Sequence, residues 1–335
     1  MIGRPPPEFF DKAERWQIAP AETLYYPPAL ALPGQVDRIR AAVFASLPDT
    51  IEALTRQGDS HEGPTTGFRL RAVDLVDGVL YHGGGEHHLR NRQRRFGLTP
   101  RPAREVSGAL YETWTTNRWF GSWLMEACVA HDLAAAHGDP VTTAAPPSQG
   151  GHQDRYEALA GMAPRRIDGD AHFTELVMFD DYASNSHKAA RADALRRRLL
   201  QGRSPQAVPG VFLLRGHAGD PRLLVNERDL AEDLARHRGF VVIDPLDATV
   251  DQLIDACGAA RAIVGVEGSQ LVHGITVAPP GAAIIPIQPP ERVAATLKHQ
   301  SDRLGQRFGL LVAEGSDSRF RLERDDLMAT LDLFE

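Results

Sequence analysis

The sequence predicts an α/β protein of two domains, with a doubly wound parallel sheet in its second half. Two observations support this prediction. The chain has 335 residues, which is more than one hydrophobic core usually organises. After Pro209, apolar strand-like segments alternate with helical segments at a regular spacing, which is typical of a parallel sheet with helices on both faces.

The apolar segments divide the second half into elements. Strands are predicted at 211–215, 240–243, 262–266 and 282–287, and helices at 226–237, 250–260 and 269–276. Before them, residues 202–210 combine Gly, Pro and Ser between two periodic regions, so they are the predicted linker. The expected domains are therefore residues 1–205 and 206–320, followed by a C-terminal helix at 321–335.

The first half is less regular and is expected to form a separate α/β domain. Residues 1–35 are rich in proline and aromatic residues and are predicted to form an irregular arm. One helix is predicted from Asn117 to about His137, with Gly138 as its end. The other predicted elements are strands at 73–76, 78–82 and 173–179 and a helix at 186–201.

Composition disfavours several classes of protein. The formal net charge of −7 argues against general binding to nucleic acid. Cys128 and Cys257 lack the spacing of a zinc site and are expected to be small buried apolar residues. The N-terminus lacks the apolar segment of a signal peptide, and no run of about 18 apolar residues is present to span a membrane. The expected location is a reducing cytoplasm. No metal is expected to be essential, and a homodimer is one possible oligomeric state.

The most informative local pattern is the end of the strand at 262–266. It leads into Gly268 and Ser269 and then into a helix. Ligands of open α/β sheets bind at the carboxyl ends of strands, where a glycine turn and a helix N-terminus offer N–H groups to phosphate. The alternative is a plain strand-to-helix turn, in which glycine only permits a positive φ. Glu267 argues against phosphate, since a carboxylate repels a diphosphate unless it binds a sugar or ribose hydroxyl.

Arginines follow the first strand of the same half. Arg215 closes the strand at 211–215, and Arg222 and Asn226 flank the start of the next helix. Two guanidiniums at the carboxyl edge of a parallel sheet would neutralise a diphosphate leaving group without a metal. The alternative is that they are solvated loop residues in a chain rich in arginine.

A carboxylate stands out in the predicted helix of the first half. Trp119, Trp123 and Glu126 follow helical spacing on an otherwise apolar face. An unpaired buried carboxylate costs several kcal/mol, so Glu126 either has a partner or faces a cleft. In a cleft it would act as a general base, and His131 in the same helix is the second candidate for that role. The alternative is a structural glutamate paired with an arginine.

Together these segments resemble glycosyltransferase family 61. That family couples an aromatic-rich HWxxE/D helix, a strand ending in Arg, a second Arg before an Asn-Glu pair, and a late GxHG-type turn leading to Pro-Pro-Gly. The matching residues here are Trp123 and Glu126; Arg215, Arg222, Asn226 and Glu227; Gly265, Gly268 and Leu271; and Pro279, Pro280 and Gly281. Their order and spacing agree over roughly residues 75–290.

The resemblance implies a GT-B-like fold, in which two Rossmann-like doubly wound domains face each other across a cleft. It also implies an inverting transfer from a nucleotide-sugar, commonly a UDP-sugar, to a hydroxyl of a glycan or other acceptor, without a cofactor or an essential metal. The donor-binding residues are then Arg215, Arg222, Asn226, Gly265, Glu267, Gly268, Ser269 and His273. Ser122 and Glu267 depart from the family, because histidine is usual at both positions. Either the donor site is reshaped for another sugar, or catalysis is impaired.

Two other functions stay open. Asp168 and Asp170 have the DxD spacing that holds Mn²⁺ or Mg²⁺ against a diphosphate, and Asp180 with Asp181 offers the same groups, although Asp-Gly is also a common turn. A catalytically degenerate transferase fold would instead serve as a sugar-nucleotide sensor or as a partner subunit. The histidine-rich segment 82–88 is interpreted as a flexible loop rather than a metal site.

Overall fold

The structure, a computed structural model, describes residues 8–93, 101–216 and 222–335. The first seven residues of the predicted arm, and residues 217–221 between the two predicted donor-site arginines, lie outside the described residues. The chain divides into two compact units. The N-terminal unit comprises Met1–Glu22 and Glu62–Arg191, and the C-terminal unit comprises Thr23–His61 and Ala192–Glu335.

The described residues contain strands and helices throughout both units. The strands are β1 (Glu14–Ala19), β2 (Glu22–Tyr26), β3 (Gly58–Glu62), β4 (Thr65–Val76), β5 (Val79–His82), β6 (Gly85–His88), β7 (Glu105–Leu110), β8 (Pro140–Thr142), β9 (Arg165–Arg166), β10 (Ala171–Asp180), β11 (Val211–Leu213), β12 (Leu223–Leu224), β13 (Val241–Ile243), β14 (Ala262–Val266), β15 (Ala283–Gln288), β16 (Arg307–Phe308), β17 (Leu311–Val312), β18 (Glu314–Gly315) and β19 (Arg319–Arg321). The α-helices are α1 (Leu47–Thr55), α2 (Phe120–Ser122), α3 (Cys128–His137), α4 (His152–Ala160), α5 (Ser186–Leu200), α6 (Glu227–Arg238), α7 (Val250–Cys257), α8 (Val272–Val277), α9 (Thr296–Arg303) and α10 (Arg324–Asp332). Short 3₁₀ helices occur at Val36–Arg38 and Ser269–Leu271, and Trp123–Ala127 is π-helical. Within the described ranges, no helix combines the length and the apolar character needed to cross a membrane.

The N-terminal unit is built on an eight-stranded mixed sheet. Its order is β6–β5–β4–β10–β7–β8–β9, with β1 paired to β4. The neighbours β10, β7, β8 and β9 run parallel, but β4 is antiparallel to β1, β5 and β10. The prediction of a Rossmann-like, doubly wound sheet therefore does not hold for β1, β4, β5 and β6. The physical reason is that β4, β5 and β6 are joined by two-residue turns, Asp77–Gly78 and Gly83–Gly84, and such turns connect only antiparallel strands.

The histidine-rich segment 82–88 forms the turn and the second strand of the β5–β6 hairpin, and not the predicted flexible loop. Its turn glycines both adopt positive φ angles, which fits a tight hairpin turn. His88 pairs with Glu86 at 2.9 Å, while the ring of His87 packs against Phe9. Burial, followed by the nearby charge of His88, lowers the pKa of His87. The histidines therefore serve the sheet and its packing.

The C-terminal unit is built on an all-parallel sheet, as predicted, and the sheet has six strands, two more than the sequence analysis names. Its order is β13–β11–β14–β15–β16, and β17 also pairs with β15. Successive residues of a strand point to opposite faces, and Val264 packs on one face in a cluster with Leu230 of α6 and Leu327 of α10. On the other face, α8 approaches so closely that a Cβ at Gly274 would lie 2.8 Å from Cγ2 of Ile263. Helices therefore cover both faces of this sheet.

Residues 23–61 belong to the C-terminal unit, which differs from the domain boundary predicted after residue 205. Leu30 forms a parallel bridge with Gly309. The buried side chain of Gln35 accepts a hydrogen bond at 2.6 Å from the N–H of Val312. The C-terminal helix α10 packs into the same core, so it is part of this unit rather than a separate segment.

Candidate functional site

Three arginines converge at the carboxyl edge of the parallel sheet, where such sheets bind their ligands. Arg215 follows β11, Glu267 follows β14 and Arg292 follows β15. Because β11, β14 and β15 are neighbours in the sheet, their ends bring these side chains to one edge. Arg222, which directly precedes β12, reaches the same place.

Glu267 is the anionic centre of this cluster. Its side chain is 8% exposed and forms ion pairs with Arg222 and, at 3.1 Å, with Arg292. Arg222 also donates a hydrogen bond at 2.9 Å to the main-chain carbonyl of Glu267. The expectation that this carboxylate repels a diphosphate overlooks these partners. Glu267 instead fixes two guanidiniums at the edge of the sheet.

The main chain at Arg215 is fixed by Glu227, the first residue of α6. The buried carboxylate of Glu227 accepts hydrogen bonds from the N–H groups of Arg215 at 2.8 Å and Gly216 at 2.9 Å. Burial raises the pKa of Glu227, and these two hydrogen bonds oppose that effect. With its main chain held in this way, Arg215 donates from Nη1 to the side-chain oxygen of Gln270 at 3.1 Å.

The glycine turn after β14 is shaped by the same arginine. A Cβ on Gly268 would collide with the guanidinium of Arg215 and with the side-chain oxygen of Gln270. Glycine therefore lets the guanidinium of Arg215 lie directly against the main chain. The helix predicted at 269–276 is divided into a 3₁₀ turn, Ser269–Leu271, and the six-residue helix α8. The half-buried Ser269 thus begins a turn rather than a long helix. The positive charge at this edge therefore comes chiefly from guanidiniums and not from a helix N-terminus.

Three of the predicted donor-binding residues have other contacts in the structure. The Leu213 carbonyl lies against Gly265, where a Cβ would stand, so this glycine permits close packing within the sheet. The Asn226 amide donates at 2.8 Å to the carbonyl of Leu322 and accepts at 3.3 Å from its N–H, which ties α6 to the end of β19. His273 is buried within α8. These environments serve packing, and we leave the three residues out of the proposed donor site.

The predicted helix of the first half begins at Phe120, three residues later than expected, and ends at His137 as predicted. Its centre is irregular, because the π-helical segment Trp123–Ala127 separates α2 from α3 and contains Glu126. Single π-helical turns within α-helices are frequent at functional sites. The irregularity therefore falls on the residue that the sequence selects as the candidate base.

Glu126 has a basic partner. Its carboxylate pairs with the ammonium of Lys188 in α5, whose side chain is only 3% exposed. Lys188 also donates a hydrogen bond at 2.6 Å to the main-chain carbonyl of Asp181. The Glu126 side chain itself stays 30% exposed. The structure thus combines both sequence-based interpretations: the glutamate is paired, with a lysine rather than an arginine, and solvent still reaches it.

His131 is less accessible to a substrate than Glu126. It is buried in α3, and its ring meets the ring of Tyr111 edge-on, with 5.4 Å between the centroids. Its Nε2 makes no hydrogen bond to the part of the chain that the structure describes. We therefore rank His131 behind Glu126 as a proton acceptor.

A cavity of about 350 Å³ lies within the N-terminal unit, at the start of the helix that carries Glu126. Its walls include Arg118, Trp119 and Phe120 from one segment, and Ser148, His152 and Gln153 from another. The volume falls in the usual range of ligand pockets, about 300–1,000 Å³. Aromatic rings beside polar side chains suit a sugar, which has both an apolar ring face and hydroxyl groups. Sequence patterns miss this cavity because its walls are far apart in the chain.

The acidic pairs considered as metal ligands have other contacts. Gly169 has a φ of 68°, so the DxD segment is a turn before β10, and Oδ1 of Asp170 accepts a hydrogen bond from the N–H of Asp77 at 3.0 Å. The two carboxylate oxygens of Asp181 bind Arg191 at 2.6 and 3.0 Å. Within residues 8–93, 101–216 and 222–335, no group of three or more His, Cys, Asp or Glu side chains is placed to hold a metal ion. The contacts support the turn interpretation.

Arginines clustered at the carboxyl edge of a parallel sheet are typical of α/β proteins that bind phosphorylated ligands. The family model for glycosyltransferase 61 matches residues 73–285, and the protein belongs to this family. The resemblance found in the sequence motifs is thereby confirmed, and glycosyltransferase activity is the general function of the family. No curated protein matches the chain.

One solved structure similar to part of the chain is the metal-soaked flavodiiron core of Flv1 from Synechocystis sp. PCC6803. The two chains share 10% sequence identity with a TM-score of 0.27, and the match covers 49% of this chain. It spans 42% of the Flv1 chain, which is less than half of that structure. We draw no conclusion about fold or function from a similarity of this size.

The sequence motifs do not single out two members of the edge cluster, Arg292 and Gln270. Arg292 lies four residues after the apolar strand β15, as Arg215 lies shortly after β11. The presence of an arginine near a strand end, which selects Arg215, would therefore also select Arg292. Gln270 has no comparable signal, because glutamine is common in exposed turns. Its position becomes meaningful only through its contact with Arg215.

Proposed function

We propose that the protein is an inverting glycosyltransferase that moves a sugar from a nucleotide-sugar, with a UDP-sugar as the first candidate, to a hydroxyl of a glycan or glycoconjugate. One observation supports this most strongly: Arg215 approaches the main chain at Gly268, beside Arg222 and Arg292. Guanidiniums bind phosphate oxygens through parallel N–H···O bonds, so their clustering at a ligand-binding edge fits a diphosphate. Family membership supplies the transfer reaction.

The charge balance of the cluster suits a diphosphate leaving group. Glu267 pairs with Arg222 and Arg292, and the carboxylate of Glu227 lies at the main chain of Arg215, so the three guanidiniums outnumber the two carboxylates by one. The remaining positive charge would stabilise the negative charge that develops on the diphosphate as its bond to the sugar breaks. We therefore propose that the arginines take the role that a bound metal ion has in metal-dependent transferases.

We propose Glu126 as the general base. The acceptor oxygen attacks the anomeric carbon from the face opposite the diphosphate, and its proton passes to the carboxylate of Glu126. At the same time the bond between the anomeric carbon and the diphosphate oxygen breaks, and its electron pair stays on the diphosphate. The exposure of Glu126 and its place in the π-helical segment support this role. The ammonium of Lys188 would stabilise the ionised carboxylate, which is the form that accepts a proton.

We also propose that the cavity beside Trp119 and Phe120 binds a sugar ring of the acceptor. Both aromatic side chains belong to the start of the helix that carries Glu126, so the same element would supply the binding surface and the base. Arg118 and Gln153 offer donors for the hydroxyl groups.

Arg215→Ala is expected to weaken nucleotide-sugar binding by about 10- to 150-fold, because a hydrogen bond to a charged group contributes about 1.5–3 kcal/mol. A thermal-shift screen with UDP-, GDP-, CMP- and dTDP-sugars measures this. A donor present at about 100 times its Kd should add about 2.7 kcal/mol to the free energy of unfolding of the wild type. The variant should lose between about half and about nine tenths of that gain at the same ligand concentration.

Arg197→Ala is the matched control, since Arg197 is an exposed residue of α5 paired with Asp193 at the surface. It should respond to the donor as the wild type does. An undiminished shift in Arg215→Ala would contradict the proposed donor site. Strong binding of a nucleotide-sugar without product on any acceptor would instead favour the sensor function of a degenerate transferase.

Trp119→Ala is expected to raise the KM for the acceptor by about 2- to 10-fold while the KM for the donor stays unchanged, because the sugar ring would lose about 20–60 Å² of apolar contact with the indole ring at about 25 cal/mol per Å². Steady-state kinetics with each substrate varied in turn give both values. An unchanged acceptor KM in a folded variant would show that the cavity is not the acceptor site.

A further inference from the structure

Residues 40–44 lie along the loop that follows β15 at the carboxyl edge of the sheet. The N–H of Arg40 donates to the carbonyl of Pro290 at 2.8 Å, and the N–H of Val43 donates to the carbonyl of Val293 at 3.0 Å. Main-chain hydrogen bonds therefore attach this early segment to the same loop that supplies an arginine to the edge cluster. They bring residue 44 to the rim of the proposed donor site.

Phe44, the last residue of this segment, has two unfavourable features. Its φ is 72°, in the left-handed region that residues other than glycine, asparagine and aspartate avoid. It is also 59% exposed, although it is a large apolar residue. Glycine would adopt this φ without strain, so the local backbone conformation does not by itself favour phenylalanine here. Strained residues of this kind cluster at ligand-binding sites, where the surrounding structure holds them in place.

The ring of Phe44 lies beside the arginine cluster. Cζ of Arg292 is 5.5 Å from the ring centroid, and the same guanidinium pairs with Glu267 at 3.1 Å. Glu267 directly precedes Gly268, where Arg215 approaches the main chain. One guanidinium therefore separates the aromatic ring from the place proposed for the diphosphate. In a nucleotide, the ribose separates the base from the phosphates in the same way.

We propose that Phe44 is the stacking surface for the base of the nucleotide-sugar, an inference that rests on the proposed function. Every nucleobase has a π face, and aromatic side chains bind it without regard to base identity. With Arg292 over its ring, Phe44 is still more than half exposed as a residue, so solvent reaches part of it. Arg292 then lies between base and diphosphate, beside the ribose.

The variant Phe44→Gly distinguishes a stacking role of Phe44 from a structural one. Glycine adopts a positive φ without strain, so the melting temperature of the unliganded variant should equal or exceed that of the wild type. Its affinity for UDP should fall by about 5- to 100-fold, the range expected for the loss of one stacked base. Its affinity for inorganic pyrophosphate, which has no base, should stay unchanged. Phe44→Trp should retain UDP binding, and calorimetric titration measures all of these affinities.

The outcomes distinguish this inference from the function on which it rests. If the wild type binds UDP and Phe44→Gly binds it equally well, Phe44 has no stacking role and the proposed function stands. A melting temperature lowered by several degrees at unchanged UDP affinity would identify Phe44 as a structural residue. If the wild type binds none of UDP, GDP and dTDP in parallel titrations, both proposals are overturned.

Discussion

Replacing Glu126 with glutamine is expected to lower kcat by about 10²–10⁴-fold, while the affinity for the donor changes little. Positioned proton transfer contributes a factor of this size, and glutamine keeps the shape of the side chain but cannot accept the proton. The donor would still bind, because the arginine cluster lies in the other unit of the chain. Steady-state kinetics and direct titration with UDP measure the two quantities separately.

Glu157→Gln is a suitable control for this experiment. Glu157 is also a carboxylate of the N-terminal unit paired with a basic residue, Arg166 at 2.6 Å, but it lies in α4. Loss of the pair should lower the stability of both variants, and more so in Glu126→Gln, because the Lys188 side chain is 3% exposed and the Arg166 side chain 21%. Only Glu126→Gln should have a lower kcat under conditions in which both variants are fully folded. Full activity in a folded Glu126→Gln protein would disprove the assignment, and His131→Asn would then be the next variant to measure.

Glu267→Leu is expected to reduce the free energy of unfolding by about 3–5 kcal/mol. Glu267 and Arg222 are each only 8% exposed at the side chain, and removing one partner of a buried ion pair leaves an uncompensated charge. Denaturant unfolding followed by linear extrapolation measures the change. The double variant Glu267→Leu with Arg222→Met should recover much of the loss, because buried ion pairs can often be replaced by apolar residues of similar volume.

Asp193→Ala provides the comparison at the surface. Asp193 pairs with Arg197 where both side chains are at least half exposed, so its removal should change the free energy of unfolding by less than about 1 kcal/mol. If Glu267→Leu costs no more than this surface variant, Glu267 does not organise the arginine cluster.

The parallel sheet of the C-terminal unit could be predicted from the sequence because its signals are local. The strand at 262–266 coincides with β14 at both ends, since five apolar residues are bounded by polar ones. The N-terminal sheet was harder to predict. Its hairpins depend on turns such as Asp77–Gly78, and its pairing between β4 and β10 joins residues about 100 positions apart. The direction of a strand is set by its connections to neighbouring strands. The periodicity of apolar residues carries no information about these connections.

The candidate site shows the same division between local and distant signals. Arg215 and Gly268 follow apolar strands, and the ends of parallel strands meet at one edge, so the sequence alone selects both as candidates. Gly265 and Asn226 were assigned to the ligand because glycine and asparagine serve both ligands and packing, and only contacts separate these roles. No sequence pattern selects Phe44, because main-chain hydrogen bonds, which have no signature in the side chains, bring it to the edge of the proposed donor site.

The inclusion of residues 23–61 in the C-terminal unit has a consequence for biosynthesis. On the ribosome this segment is made before residues 62–191, but its partners, residues 192–335, are made after them. At about 5–20 residues per second, the intervening stretch of about 130 residues delays those partners by roughly 7–26 seconds. The N-terminal unit can form during that time, with the early segment looped out between β1 and β4. Phe44 then reaches the arginine cluster only after β15 and its following loop have left the ribosome, so a chain arrested before that point lacks the rim of the proposed donor site.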